Sequence, residues 1–264
     1  MKTTLTVIFC VCLCSTLIWP LTAMSQVDYE TKQKAQEGDP VAQRELGRLY
    51  AEGDERNAQN YEKAVVWWQR AAAQGDSTAQ RYLGNMFYLG MGVEQRDFSQ
   101  AFNWFIKAAE GDDGIAQVSV ANMYERGLGV PRDLQQAFSW YQRAANNGYP
   151  EAMSILGSLY YDGSIVKQDY EKALFWLTRA AEKGDAMAQQ KLATMYAGGL
   201  GVKQDLVQAY AWIDLAGKSL KLDHITNFKR KLESQITPEQ LEEARLITAR
   251  RFGEIQTAII NNRN

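Results

Sequence analysis

Five tryptophans, Trp67, Trp104, Trp140, Trp176 and Trp212, stand 37, 36, 36 and 36 residues apart, and no other feature of the chain constrains its fold as much. Other columns keep nearly the same step. Gly38, Gly75, Gly111, Gly148 and Gly184 recur at 37, 36, 37 and 36. Asp97, Asp133, Asp169 and Asp205 recur at 36, and Asn60 holds that slot in the first unit. A period of this length marks a repeat architecture in which each unit is one supersecondary element. The stretch from Gly75 to Gly111 shows which element it is. Gly75 suits a left-handed helix end, and Asp76 suits a helix start. Ala79, Leu83, Met86 and Phe87 fall at i, i+4, i+7 and i+8, one stripe of a helix. Gly90-Met91-Gly92 breaks that helix, and Asp97 with Gln100 offers a capping box for a second one. The second helix carries Ala101, Trp104, Ala108 and Ala109 as its apolar stripe, with the tryptophans read as core. Two such helices cannot bury these stripes alone, so neighbouring units stack.

The units vary around this plan. The first has Asp54 in place of a turn glycine, and the fourth has Ile165 there. The third has Val120-Ala121 for Leu-Gly and reads as carrying an extra residue in Gly111-Asp112-Asp113-Gly114. The fifth ends Ala216-Gly217. The expected units are 38–74, 75–110, 111–147, 148–183 and 184–217. Residues 26–37 read as an N-terminal cap helix, with Ala35 three residues before Gly38 as Ala72 stands before Gly75. Residues 218–264 read as a C-terminal helical cap: a polar helix over about 222–235, then a helix started by Thr237-Pro238-Glu239-Gln240 and running to about Phe252. The last ten residues read as frayed.

The first residues have the composition of an address. Lys2 is the only charge before Asp28, an apolar run extends from Leu5 to Trp19, and Ala23-Met24-Ser25 offers a small-x-small cleavage site. Residues 1–25 are therefore expected to be a signal peptide with Gln26 as the new N-terminus, an uncleaved anchor being the alternative. Cys10, Cys12 and Cys14 all lie inside it, so the mature chain would have no disulfide, thiol nucleophile or cysteine metal site. No Asn is followed by x-Ser or x-Thr, which fits a bacterial periplasm better than a eukaryotic secretory lumen, with secretion as the other possibility. The near balance of 29 basic and 31 acidic side chains gives no reason to expect nucleic acid as a partner.

Three stretches carry a family resemblance: Gly-Asp-x-x-Ala-Gln-x-x-Leu-Gly-x-x-Phe/Tyr at Gly75 to Phe87, Gly-x-Gly-Val at Gly90 to Val93, Gly127 to Val130 and Gly199 to Val202, and Asp-x-x-x-Ala-x-x-Trp-x-x-x-Ala-Ala at Asp97 to Ala109. Together they resemble the Sel-1-like repeat family, a relative of the tetratricopeptide repeats, over residues 38–217. The resemblance implies an all-α, right-handed α-solenoid of five helix–turn–helix units between helical caps. It also implies a non-enzymatic adaptor that binds a peptide or domain surface of another protein in a concave groove, in envelope signalling, envelope assembly or host interaction.

Little in the chain suggests chemistry of its own. Ser164-Ile165-Val166-Lys167 matches the Ser-x-x-Lys of penicillin-interacting enzymes, but Ser-Asp-Asn and Lys-Thr-Gly are absent. The tetrapeptide falls in an inter-helix turn, so a cell-wall or β-lactam hydrolase is only the runner-up reading. The turn glycines lack the strand and the Gly-Lys-Ser/Thr of a phosphate loop. His224 is the only histidine, and most carboxylates recur as caps, so no catalytic residue, metal site or cofactor is expected. What the period leaves free is one face of each first helix, at two, six and nine residues beyond its core alanine. It includes Arg44, Arg48, Arg81, Asn85, Tyr88, Asn122, Glu125, Ser158 and Tyr161 as candidate partner-binding residues, with Val118, Ser154, Gln190 and Thr194 beside them. A recognition surface and ordinary drift of solvent-facing positions both produce such variation. Exposed tyrosines such as Tyr88 and Tyr161 would also suit a glycan.

Overall fold

Asp76 opens a helix by accepting the amide of Ala79 at 2.8 Å, and the same event begins nearly every helix of the molecule. Asp39, Asn60, Asp97, Asp113, Asp133, Asp169, Asp185 and Asp205 each cap a helix in this way. The computed structural model describes residues 29–53 and 58–261, all helices and connections without a strand. The expected leader over 1–25 and Asp54 lie outside them. The chain divides between Arg96 and Asp97 into two compact units. The first holds α1 (29–36), α2 (Pro40–Glu52), α3 (Tyr61–Ala73) and α4 (Ser77–Leu89). The second holds α5 (Phe98–Glu110), α6 (Gly114–Arg126), α7 (Leu134–Asn146), α8 (Pro150–Asp162), α9 (Tyr170–Glu182), α10 (Ala186–Gly198), α11 (Leu206–Ser219), α12 (Asp223–Glu233) and α13 (Pro238–Asn261). Helices α2, α4, α6, α8 and α10 open the five repeats of the solenoid, and α3, α5, α7, α9 and α11 close them.

Ahead of four of the five opening helices the chain turns through a left-handed glycine: Gly38, Gly75, Gly148 and Gly184, with φ of 103°, 90°, 90° and 94°. Ahead of α6 that residue is Asp112 at φ 61°, not Gly111, and it is the only described non-glycine residue with positive φ. This corrects the glycine column and the position of the extra residue. Caps Asp97 and Asp113 are 16 residues apart, as are Asp133 and Tyr149 and every equivalent pair. The one-residue difference lies in the turn inside the repeat, where Asp76 and Asp97 are 21 apart but Asp113 and Asp133 only 20. Asp112 is held in place by Arg143 of the next repeat, whose Nη2 donates to Oδ1 at 2.7 Å. That contact also keeps the Asp112 carboxyl below the usual carboxylate range.

Two recurring fittings and one single fitting lock repeats together. The second glycine of the Gly-x-Gly turn lies against the start of the closing helix one repeat back. A Cβ at Gly92 would stand 2.4 Å from the Tyr61 carbonyl carbon, and one at Gly129 2.2 Å from the Phe98 carbonyl oxygen. A buried glutamine makes the second fitting. Gln43, Gln117 and Gln189 are each almost fully enclosed, and their Nε2 atoms donate at 3.1 Å to the carbonyls of Ala35, Ala109 and Ala181. Gln80 makes the same bond to Ala72 at 3.3 Å. These carbonyls belong to last turns, where each also accepts the amide three residues on, and the glutamine adds a second donor from the next helix. The third fitting is Tyr149, which replaces the capping aspartate of the fourth repeat. Its ring covers Gly114 so closely that a Cβ there would sit 1.8 Å from Cε2.

The tryptophan column is not the centre of the core. Trp67, Trp104, Trp140 and Trp176 are half-buried, whereas the next residue in each repeat, Trp68, Phe105, Tyr141, Leu177 and Ile213, is enclosed. The closing helix thus buries a stripe such as Ala64, Trp68, Ala71 and Ala72, with Trp67 on its shoulder. A cation three residues on covers each shoulder ring: Arg70 at 4.4 Å from Trp67, Lys107 at 4.5 Å from Trp104, Arg143 at 5.3 Å from Trp140 and Arg179 at 5.7 Å from Trp176. The fifth repeat has Leu215 at that position, and Arg251 of α13 supplies the cation instead, 3.8 Å from the Trp212 ring. There the tryptophan is buried.

Helix α13 starts as a capping box, Thr237 N donating to Gln240 Oε1 at 3.0 Å and Gln240 N to Thr237 Oγ1 at 3.3 Å. It continues well past Phe252, which corrects the frayed tail. Ile255 is buried, and with Ile259 it packs toward Gly184.

Candidate interaction surface

The nine candidate residues all fall on the opening helices, and every one is half-buried. In the first unit, α2 and α4 hold Arg44, Arg48, Arg81, Asn85 and Tyr88. The arginines are engaged within the molecule. Arg44 Nη1 donates to Asp76 Oδ2 at 2.7 Å, bridging to the cap of the following repeat. Arg48 Nε reaches both carboxylate oxygens of Glu45, at 3.1 and 3.0 Å, and its guanidinium also pairs with Glu52. Arg81 lies over the Tyr82 ring at 4.8 Å.

Arg44, two beyond the core alanine, therefore does not project into solvent as the helical wheel suggests. It touches the next repeat. Ser154 makes the same link as Arg44, its Oγ standing 2.9 Å from Asp185 Oδ1, and both Ser154 and Val118 are buried. A wheel drawn for one helix cannot show this, because the neighbouring opening helix covers the position. The only signal in the sequence is the acidic cap, present in four of the five repeats, to which such a residue could reach.

In the second unit the residues six and nine beyond the alanine form a polar and aromatic strip on α6, α8 and α10. Glu125 Oε2 accepts the Tyr141 hydroxyl at 2.8 Å, and Asn122 also hydrogen-bonds it. Burial, with the Glu125 carboxylate beside it, pushes that hydroxyl above the ordinary phenol range, so Tyr141 remains a neutral donor. Ser158 Oγ donates to the Ser154 carbonyl at 2.8 Å. Tyr161 packs edge-on against Tyr170 at 5.5 Å and lies under Lys191 at 4.9 Å, while Lys191 Nζ stands 3.5 Å from Asp162 Oδ2. The strip offers an acid, hydroxyls, an amide and a phenol ring in fixed positions. This is a set suited to directed hydrogen bonding with a peptide, and it contains no nucleophile paired to a base.

Ser164 and Lys167 are both exposed in the turn between α8 and α9, and His224 is exposed on α12. Sequence reasoning missed the buried glutamines, although Ala-Gln recurs in four of the five repeats, because glutamine counts as a surface residue until a carbonyl is found for it.

Among known protein families, the Sel1 repeat matches the chain five times, over residues 40–76, 77–113, 114–149, 150–185 and 186–219. No curated protein matches. Among solved structures, a protective antigen of uropathogenic Escherichia coli with an SLR fold is similar, at 32% identity and a TM-score of 0.78, with 87% of this chain and 49% of that one covered. A Sel1 repeat protein from Oxalobacter formigenes is similar at 35% identity and a TM-score of 0.72, with 78% of this chain and 58% of that one covered. The chain thus spans about half the length of these relatives.

Proposed function

The chain belongs to the Sel1 repeat family, whose members are scaffolds for protein–protein interaction, and from this premise we propose that it is an exported adaptor binding a partner protein along its opening helices. The observation that carries the reading is the contrast between the two kinds of position on those helices. Caps, glutamines and small core residues recur from repeat to repeat. The strip Asn122, Glu125, Ser158 and Tyr161, with Thr194 exposed beside it, changes in each repeat while its backbone stays the same. A solenoid uses such a surface to recognise an extended segment or a domain face. Of the nine candidates, the four in the second unit form the binding strip. Arg44 and Arg48 work chiefly within the first unit, Arg44 pairing with the cap of α4 and Arg48 with two glutamates of its own helix α2.

Export is supported by the leader-like composition of residues 1–25, and a relative that is a protective antigen of a pathogen fits such a location. Osmotic-shock fractionation with N-terminal sequencing tests it: a periplasmic or secreted product beginning at Gln26 is expected, and an unprocessed cytoplasmic chain overturns it. For binding, a photo-crosslinker at Tyr161 should capture a discrete partner from the cell envelope of the source organism. The same crosslinker at Lys107 or Gln142 should not. Equal capture from both sets would place binding elsewhere.

A further inference from the structure

Helix α13 shows what the outer face of a closing helix can accept. On α11 it sets Thr248 Oγ1 3.2 Å from the Ala211 carbonyl, Arg251 Nη2 2.8 Å from Gln208 Oε1, and the Arg251 guanidinium 3.8 Å from the Trp212 ring. Farther along, Ile255 and Ile259 pack toward Gly184, at the end of α9. The protein thus contains one amphipathic helix laid across one closing helix, with a charged side chain stacked on the shoulder tryptophan.

The repeat places the same face 36 residues earlier, on α9, where Lys172, Phe175 and Trp176 stand for Gln208, Ala211 and Trp212. That face borders the α13 interface and is open. Phe175 is 52% exposed where its counterpart Ala211 is buried. The Phe175 and Trp176 rings meet edge to face at 5.0 Å, and Arg179 lies over both, at 5.3 and 5.7 Å. Lys172 is paired with Asp169 at 3.1 Å, but Arg179 has no ion pair among the described residues. An exposed Phe175 and a half-buried Trp176 beside an unneutralised guanidinium combine the residue types that dominate interface energetics. It differs from the α11 face in one respect that fixes the partner's charge. On α11 the cation comes from the docked helix, whereas on α9 the face already carries it.

We propose that the outer face of α9, formed by Phe175, Trp176 and Arg179, docks an amphipathic helix of a partner protein bearing a carboxylate where α13 bears Arg251. The helix runs beside α13, its apolar residues cover Phe175 and Trp176, and its acid meets Arg179. This site is separate from the strip on the opening helices and does not depend on it.

The probe is a fluorescein-labelled peptide with the sequence of residues 238–261 carrying R251E, titrated into the purified protein and followed by anisotropy. Saturable binding is expected. It should weaken about tenfold or more in Phe175→Ser and in Arg179→Glu, both of which alter exposed side chains and should keep the wild-type melting curve. The unaltered peptide, with Arg251, should bind Arg179→Glu more tightly than wild type, because the charges are exchanged. Tyr161→Ala should leave peptide binding unchanged. If binding fails to saturate, or the affinity is the same in wild type, Phe175→Ser and Arg179→Glu, the α9 site is wrong, whatever becomes of the strip on α6 and α8.

Discussion

Trp140 and Tyr141 are adjacent in sequence and opposite in surroundings. The tryptophan keeps one face toward solvent beneath Arg143, and the tyrosine is 1% exposed with its hydroxyl on Glu125. Tyr141→Ala should therefore cost about 3–5 kcal/mol, the range for an enclosed aromatic, and Trp140→Ala only about 1 kcal/mol. Denaturant unfolding of the two variants decides which residue is core; equal losses would contradict the packing described. The sequence announces the tryptophan because its column repeats an identity, while the enclosed column changes from Trp to Phe, Tyr, Leu and Ile. Burial constrains volume and polarity more than identity, so period alone points to the wrong neighbour. Gln117 poses a similar case. Replacing it by Leu keeps the volume but removes its bond to the Ala109 carbonyl, which retains only the Asp112 amide, and a loss of about 1 kcal/mol is expected in the same measurement.

At the scale of elements the sequence is more informative, because helix ends are written in few residues. The aspartate caps, the Gly-x-Gly turns and the box at Thr237 all fall where the residues indicate. The misreadings come from contacts outside the helix concerned. The last ten residues read as a fraying end, yet α13 continues to Asn261 because Ile255 and Ile259 find the fourth repeat. The turn glycines separate intrinsic from packing demands. Gly75 has φ 90° and open space around it, so Gly75→Ala should cost about 1–2 kcal/mol, the penalty of a left-handed backbone. Gly129→Ala adds a collision with Phe98 to φ 69° and should cost clearly more. Thermal melts that rank Gly75→Ala as the worse of the two would show that the turn does not seat against α5.

For the whole molecule, the period was enough to obtain an all-α solenoid. The candidate strip was only half legible, because one helical wheel does not show the repeat that covers it. Catalysis is testable at this scale. Ser164 and Lys167 lie exposed in a turn without the partners that activate a serine, so a fluorescent penicillin should not label the protein, and Ser164→Ala should change nothing. Stoichiometric labelling lost in that variant would overturn the scaffold reading. Finally, several fittings between repeats are made by a later residue on an earlier one. Gln117 reaches back to Ala109, Gly129 seats on Phe98, Arg143 holds Asp112 and Gly201 seats on Tyr170, each using backbone or side chains that come earlier in the chain. A ribosome delivers the chain in that same order. Every repeat therefore meets a finished template as it emerges, and it can dock before its successor has been made. The links from Arg44 to Asp76 and from Ser154 to Asp185 wait for the following repeat, and the shoulder of the fifth repeat waits for α13.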